Sequence, residues 1–219
     1  MLEHLQNADI APRPLNIQYR MNPQIFEYSR NKWYPEQQSA PKASEKWLEY
    51  VDEGWKNDEL SEILTPENPT LWVDVKVEKL DSNKRNLEES IAVAAIVKKM
   101  INFGIEASDI GIMAPFRMQV NTIKNALEAE LEDLTSLDGE LLIDTVDRFQ
   151  GTQRKVILIS MCAINPEENI MLDGQMRRFN VALTRAECKR IILGNVQSYK
   201  ESKIQDLFDD GFTNVINMD

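Results

Sequence analysis

Two arginines seven residues apart, Arg178 and Arg185, stand in the stretch RRFNVALTRA from Arg177 to Ala186. A guanidinium is always charged and bonds in a planar fork, so an arginine held on a rigid element suits phosphate recognition. Seven residues are about two helical turns, so a helix through this stretch puts both guanidiniums on one face. Phe179, Ala182, Leu183 and Ala186 then fall near the opposite face, at the spacing of a helix packed on a sheet. The alternative is a core-packing helix whose arginines only meet solvent or acidic neighbours. Other chemistries are poorly supplied. His4 is the only histidine, and Cys162 and Cys188 are too few for a zinc site or a disulfide scaffold. Neither histidine catalysis nor a metal centre is expected.

The elements that must hold such residues alternate along the chain. Met1 to Leu5 reads as the last turn of a helix, broken by Pro12 and Pro14, and Leu15 to Met21 as a short β-type run. Asn22-Pro23 opens a helix through Asn31, with proline at a first helical position. Thr70 to Val77 alternates like a strand, and the DSNKRN segment reads as a polar loop. Leu87 to Phe103 has helical periodicity and stops at Gly104. Buried strands are expected at Asp109–Pro115, Leu141–Val146, Lys155–Met161 and Arg190–Asn195, with helices at Met118–Leu131, Arg178–Ala186 and Val196–Phe208. Strands alternating with helices predict a parallel sheet covered on both faces, an α/β class whose sites gather where loops leave the carboxyl ends of strands.

Composition narrows the setting. The net charge of −11, from 36 acids against 25 bases, argues against a protein that coats nucleic acid non-specifically. Charge is uneven: eight acids face two lysines between Ala43 and Pro69, whereas Arg177 to Arg190 holds five bases and one acid. The segment from about 36 to 69 reads as an acidic, solvated insertion with one or two short helices, and Arg177, Lys189 and Arg190 as a solvated basic face. There is no membrane-spanning run and no signal pattern, so an intracellular, cytoplasmic setting is expected and no membrane partner.

Four stretches carry a resemblance in their order and spacing: LNIQYRMNP (Leu15 to Pro23), DIGIMAPFRMQV (Asp109 to Val120), IDTVDRFQGTQRKVILIS (Ile143 to Ser160) and RRFNVALTRA. Together the chain resembles the C-terminal RecA-like domain of superfamily 1 helicases, in the 5′-to-3′ branch that includes the nonsense-mediated-decay and Dna2-type enzymes. The stretches match that family's motifs IV, IVa, V and VI. The resemblance implies a P-loop NTPase type of fold over residues 1–219. It also implies ATP with magnesium as cofactor, and single-stranded nucleic acid as partner, with DNA favoured and RNA the other candidate.

Residue by residue, the resemblance implies that Arg185 is the motif VI arginine finger reaching the ATP γ-phosphate, and that Arg20 of motif IV is a second cation there. It makes Tyr19 the residue stacking on the base and Gly151 the glycine whose backbone approaches the γ-phosphate. Gln153 falls where the family has a glutamate that bonds a ribose hydroxyl. Pro115, Phe116, Arg117, Thr145 and Val146 match positions that follow the nucleic-acid strand. Asn22, Ala114 and Glu187 also depart from the family's histidine, threonine and arginine. No G-x-x-x-x-G-K-[ST] loop is present, so ATP phosphates and magnesium are expected to be held mainly by a preceding RecA-like domain, of which this chain is the continuation. The competing expectation is a degenerate RecA-like scaffold or nucleic-acid-binding module without catalysis.

Overall fold

A computed structural model describes residues 15–76, 84–131, 140–162, 165–174 and 176–218. The expected helical turn at Met1–Leu5 and the first half of the DSNKRN segment, Asp81 to Asn83, lie outside the described residues. Strand β1 (Ile17–Gln18) is followed by helix α1 (Pro23–Trp33), strand β2 (Gln38–Ser39), helix α2 (Ser61–Leu64) and strand β3 (Thr70–Val75). Then come α3 (Leu87–Asn102), β4 (Ile110–Ala114), α4 (Arg117–Glu130), β5 (Leu142–Thr145) and β6 (Arg154–Ser160). The chain closes with α5 (Arg177–Leu183), β7 (Ala186–Gly194), α6 (Val196–Tyr199) and β8 (Asn214–Met218).

Six strands form one sheet in the order β5-β4-β6-β7-β3-β8, and every pairing in it is parallel. The expected α/β architecture is therefore present. Successive side chains of a strand point to opposite faces, and the core divides accordingly. Val156 and Leu158 of β6 join Leu71, Ile191, Ile96, Val97 and Ile123 on the face covered by α3 and α4. Ile157 and Ile159 join Trp72, Ile192, Phe26, Phe179 and Tyr199 on the face covered by α1, α5 and α6. A strand buried on both sides has no polar phase, which explains the nearly continuous apolar run of β6.

Local chemistry sets the helix ends. Asn22 caps α1, its side chain accepting from Gln24 N at 3.0 Å, so asparagine here serves the backbone. Asn86 caps α3 by accepting from Glu89 N at 3.0 Å, and Gly104 stops that helix at φ +92°, a left-handed conformation that favours glycine.

Three expectations are corrected. Helix α5 ends at Leu183 instead of Ala186: Thr184 Oγ1 donates back to Asn180 O at 2.8 Å, and Ala186 is already paired with Arg154 in the sheet. The helix expected over Val196–Phe208 stops at Tyr199, where Ser198 and Ser202 spend their hydroxyls on Asn195 Oδ1 and Tyr199 O. Beyond it Asp210 organises a turn, accepting from the amides of Phe212 and Thr213, and releases β8, an edge strand not foreseen in the sequence. The acidic excursion is also less solvated than expected. Its short elements turn Ala43, Leu48, Ile63 and Leu64 into the interior while most of its acids stay outside.

Candidate functional site

The expected site residues separate into two groups at opposite ends of the parallel strands. Pro115, Phe116 and Arg117 follow the carboxyl end of β4, and Thr145 and Val146 lie at the carboxyl end of its neighbour β5, with Ala114 and Thr145 in register. Gly151 and Gln153 precede β6, and Arg185 precedes β7, so these sit at amino ends. The expectation that all sites gather at carboxyl ends is thus corrected. The strap from Val146 to Gln153 must run back along the sheet before β6 can start parallel to β5, and it carries the second group to the other end.

At the amino-end group, Gln18 builds the turn that presents Tyr19 and Arg20. Its Oε1 accepts from Arg20 N at 3.0 Å and Met21 N at 2.9 Å, while its Nε2 donates to Met21 O and Ser39 Oγ. Asn22 N donates to Glu187 O at 2.8 Å, fastening the turn to the start of β7. Tyr19 is 66% exposed, its ring open to a partner. Arg20 Nε donates to Gln153 Oε1 at 2.9 Å and its Nη1 to Thr184 O at 3.0 Å.

Arg185 lies in the elbow between α5 and β7, not on the helix. Its Nε donates to Val181 O at 3.0 Å, its Nη2 to Thr184 Oγ1 at 3.1 Å and its Nη1 to Thr152 O at 3.5 Å. Every one of these acceptors is a neutral oxygen, and among the described residues no carboxylate pairs with Arg20 or Arg185. Burial first, and the Arg20 charge second, push the Arg185 pKa below the ordinary arginine value. A cation disfavoured in this way gains by meeting an anion. Gly151 adopts φ +86°, and a Cβ built there would meet nothing within 4 Å. Its glycine is therefore required by conformation, and the space beside it is open on this chain's side. The geometry fits a phosphate brought from outside: two forked cations and a bare backbone turn.

Arg178 does not share this site. Its Nε donates to Asp147 Oδ1 and its Nη1 to Asp173 Oδ2, each at 3.1 Å, which corrects the expectation that it lies on one face with Arg185. Lys189 and Arg190, expected on a solvated face, are fully buried.

At the carboxyl-end group, Pro115 and Val146 are buried, Phe116 and Thr145 are half-buried, and Arg117 is exposed and ion-paired to Asp144 at 3.0 Å. Ala114 is fully buried and offers no hydroxyl. Behind them lies a buried polar cluster not foreseen in the sequence. Gln119, in the first turn of α4, donates to Asn86 O and Ser160 Oγ, and Ser160 Oγ donates to Glu89 Oε2 at 2.6 Å. Cys162 N also donates to Glu89, yet burial still pushes that carboxyl up to about 7. The cluster ties the starts of α3 and α4 to the end of β6 and so fixes where Phe116 and Arg117 stand.

Among the described residues no three histidine, cysteine or acidic side chains gather to hold a metal, and no helix is long and apolar enough to cross a membrane. A cavity of about 720 Å³ between α3 and β8, lined by Glu59, Ile63, Lys98 and Met218, contains none of the expected site residues.

The AAA domain family matches the chain over residues 1–197. The chain is 30% identical over 224 residues to the DNA replication ATP-dependent helicase/nuclease DNA2 of Mus musculus, covering 91% of this chain and 20% of that protein. It is 29% identical over 204 residues to a regulator of nonsense transcripts 1 homolog of Neurospora crassa, covering 89% and 18%. It is 30% identical over 196 residues to an uncharacterized ATP-dependent helicase of Methanocaldococcus jannaschii, covering 87% and 28%. The chain thus spans between 18% and 28% of the length of these relatives.

Proposed function

We propose that this chain, which belongs to the AAA domain family, is the C-terminal RecA-like domain of a superfamily 1 helicase and supplies half of an ATPase site in an ATP-driven nucleic-acid motor; its similarity to ATP-dependent helicases supports this reading. The observation that carries this reading is the arginine pair. Arg20 and Arg185 are gathered from distant stretches, held by neutral oxygens, and, among the described residues, left without an acidic counterion on a chain of net charge −11.

In this reading ATP and magnesium are held mainly by a preceding RecA-like domain, which carries the phosphate-cradling loop this sequence lacks. Magnesium when bound neutralises phosphate charge. Arg185 and Arg20 stabilise charge on the γ-phosphoryl group as it transfers, because they are already oriented and need no rearrangement. Tyr19 offers its exposed ring to the base, and the open turn at Gly151 lets backbone approach the phosphates. Phe116, Arg117 and Thr145 face a single strand, DNA in preference to RNA, with the backbone at the buried Pro115 and Val146 beside them, through contacts that do not depend on base identity. Closure of the two domains brings the arginines to the nucleotide, and the strap from Val146 to Gln153 transmits that closure to the strand.

A scaffold without catalysis would gain nothing from two uncompensated cations packed side by side, whose mutual repulsion costs stability. The split site makes a direct prediction. The 219-residue chain alone should show no ATP turnover, and turnover should appear when the preceding RecA-like domain is supplied in the same polypeptide. Sustained phosphate release by the isolated chain would overturn the reading.

A further inference from the structure

Gln153 stands where the resembling family carries a glutamate, and the structure gives its amide a different task. Its Oε1 accepts from Arg20 Nε at 2.9 Å, while the same guanidinium bonds Thr184 O at 3.0 Å. Arg20 is therefore held at two points, and both holders are uncharged. The guanidinium already makes this bond charge-assisted; a carboxylate at position 153 would turn it into an ion pair and cancel one of the two positive charges. The amide orients Arg20 without neutralising it. An Oε1 already accepting from the Arg20 cation is a poorer second acceptor for a sugar hydroxyl than a free glutamate carboxylate, which is charged and has two oxygens.

We propose that Gln153 is a positioning residue for Arg20, which keeps the arginine pair doubly charged for the terminal phosphate of a nucleoside triphosphate and leaves the nucleotide's sugar unread at this position. The proposal rests on the reading of the pair as a γ-phosphate site. Its particular consequence is that the residue at 153 acts on the terminal phosphate and not on the nucleoside. A sugar contact would affect di- and triphosphates alike. A contact that tunes Arg20 affects the triphosphate only.

The test uses the full-length protein, with both RecA-like domains, and compares wild type, Gln153→Glu, Gln153→Ala and Arg20→Ala. Binding of a non-hydrolysable ATP analogue and of ADP is measured for each. Gln153 is exposed, so these changes leave the core untouched. Gln153→Glu should weaken the analogue roughly tenfold, the scale of one charge-assisted contact, with ADP held within about twofold. Gln153→Ala should weaken the analogue in the same selective sense but less, because Arg20 keeps its charge and loses one anchor. Equal changes for the analogue and ADP in either direction, or no change in either, would overturn the proposal. Arg20→Ala separates the two levels of argument. If it selectively weakens the analogue while Gln153→Glu does not, only the role of Gln153 fails. If Arg20→Ala itself leaves the analogue unaffected, the γ-phosphate reading fails with it.

Discussion

Lys189 and Arg190 are neighbours in β7, both fully buried, and among the described residues no carboxylate bonds to either. Lys189 Nζ donates to Thr65 O and Asn68 O, each at 2.7 Å, and so closes the end of the acidic excursion onto the sheet. Arg190, on the opposite face, spreads its fork over Thr70 Oγ1, Ile25 O and Leu183 O. Burial pushes the Lys189 amine down to about 7. In the unfolded chain the amine keeps its proton up to the ordinary value of 10.5, so between these two the unfolded state binds the extra proton. The contribution of Lys189 to stability therefore rises with pH across that window. Lys189→Met should flatten this rise in urea denaturation followed from pH 7 to 10, and should cost about 1–3 kcal/mol by stranding two carbonyls. An unchanged pH slope would contradict the assignment. In the sequence these two residues look like a basic surface, because nothing in CKRIILG records that backbone carbonyls will surround each head group.

The strap between β5 and β6 is the element that joins the two groups of site residues. Thr145 and Val146 begin it at one end of the sheet, and Gly151 and Gln153 end it beside the arginines. Val146 and Phe149 anchor it in the core, 1% and 0% exposed, so the strap moves with the sheet face beneath it. Arg178 clasps its start through Asp147, and that bond is the largest reason for the raised pKa of Arg178. An exposed ion pair of this kind contributes about 0.2–1 kcal/mol, too little to be a stability device. Arg178→Ala in the full-length protein should therefore leave the melting temperature nearly unchanged, yet lower the stimulation of ATP turnover by nucleic acid several-fold. A stimulation ratio equal to wild type would rule out a coupling role. At this scale the sequence was legible where periodicity and pairing agree, as in α3, β4 and β6. It misled where short-range chemistry wins. The hydroxyl of Thr184 and the pairing of Ala186 end α5 early, which moves Arg185 off the helix and away from Arg178. Strand β8 was illegible because its stability comes from lying against β3, a contact far away in sequence.

At the scale of the whole molecule, an acidic protein leaves one pair of arginines without an ion-paired carboxylate among the described residues. The resemblance implied that Arg20 and Arg185 serve one phosphate, but the means of their convergence, the order β6-β7 in the sheet and the bonds of Gln18 and Thr184, was not read from the motifs that contain those residues. The residues expected to bind nucleic acid converge as a second group, at the other end of the same strands. Under the proposed function, a domain so arranged would sense a nucleotide at one end of its sheet and a strand at the other, and would complete its chemistry only against a partner surface. The most direct test is Arg185→Ala in the full-length protein, read by single-turnover hydrolysis of ATP with nucleic acid bound. The account predicts a fall of about 10³-fold or more, the scale of a removed arginine finger, with the chain still folded and still binding nucleic acid. A variant that hydrolyses ATP at a rate close to wild type would contradict it.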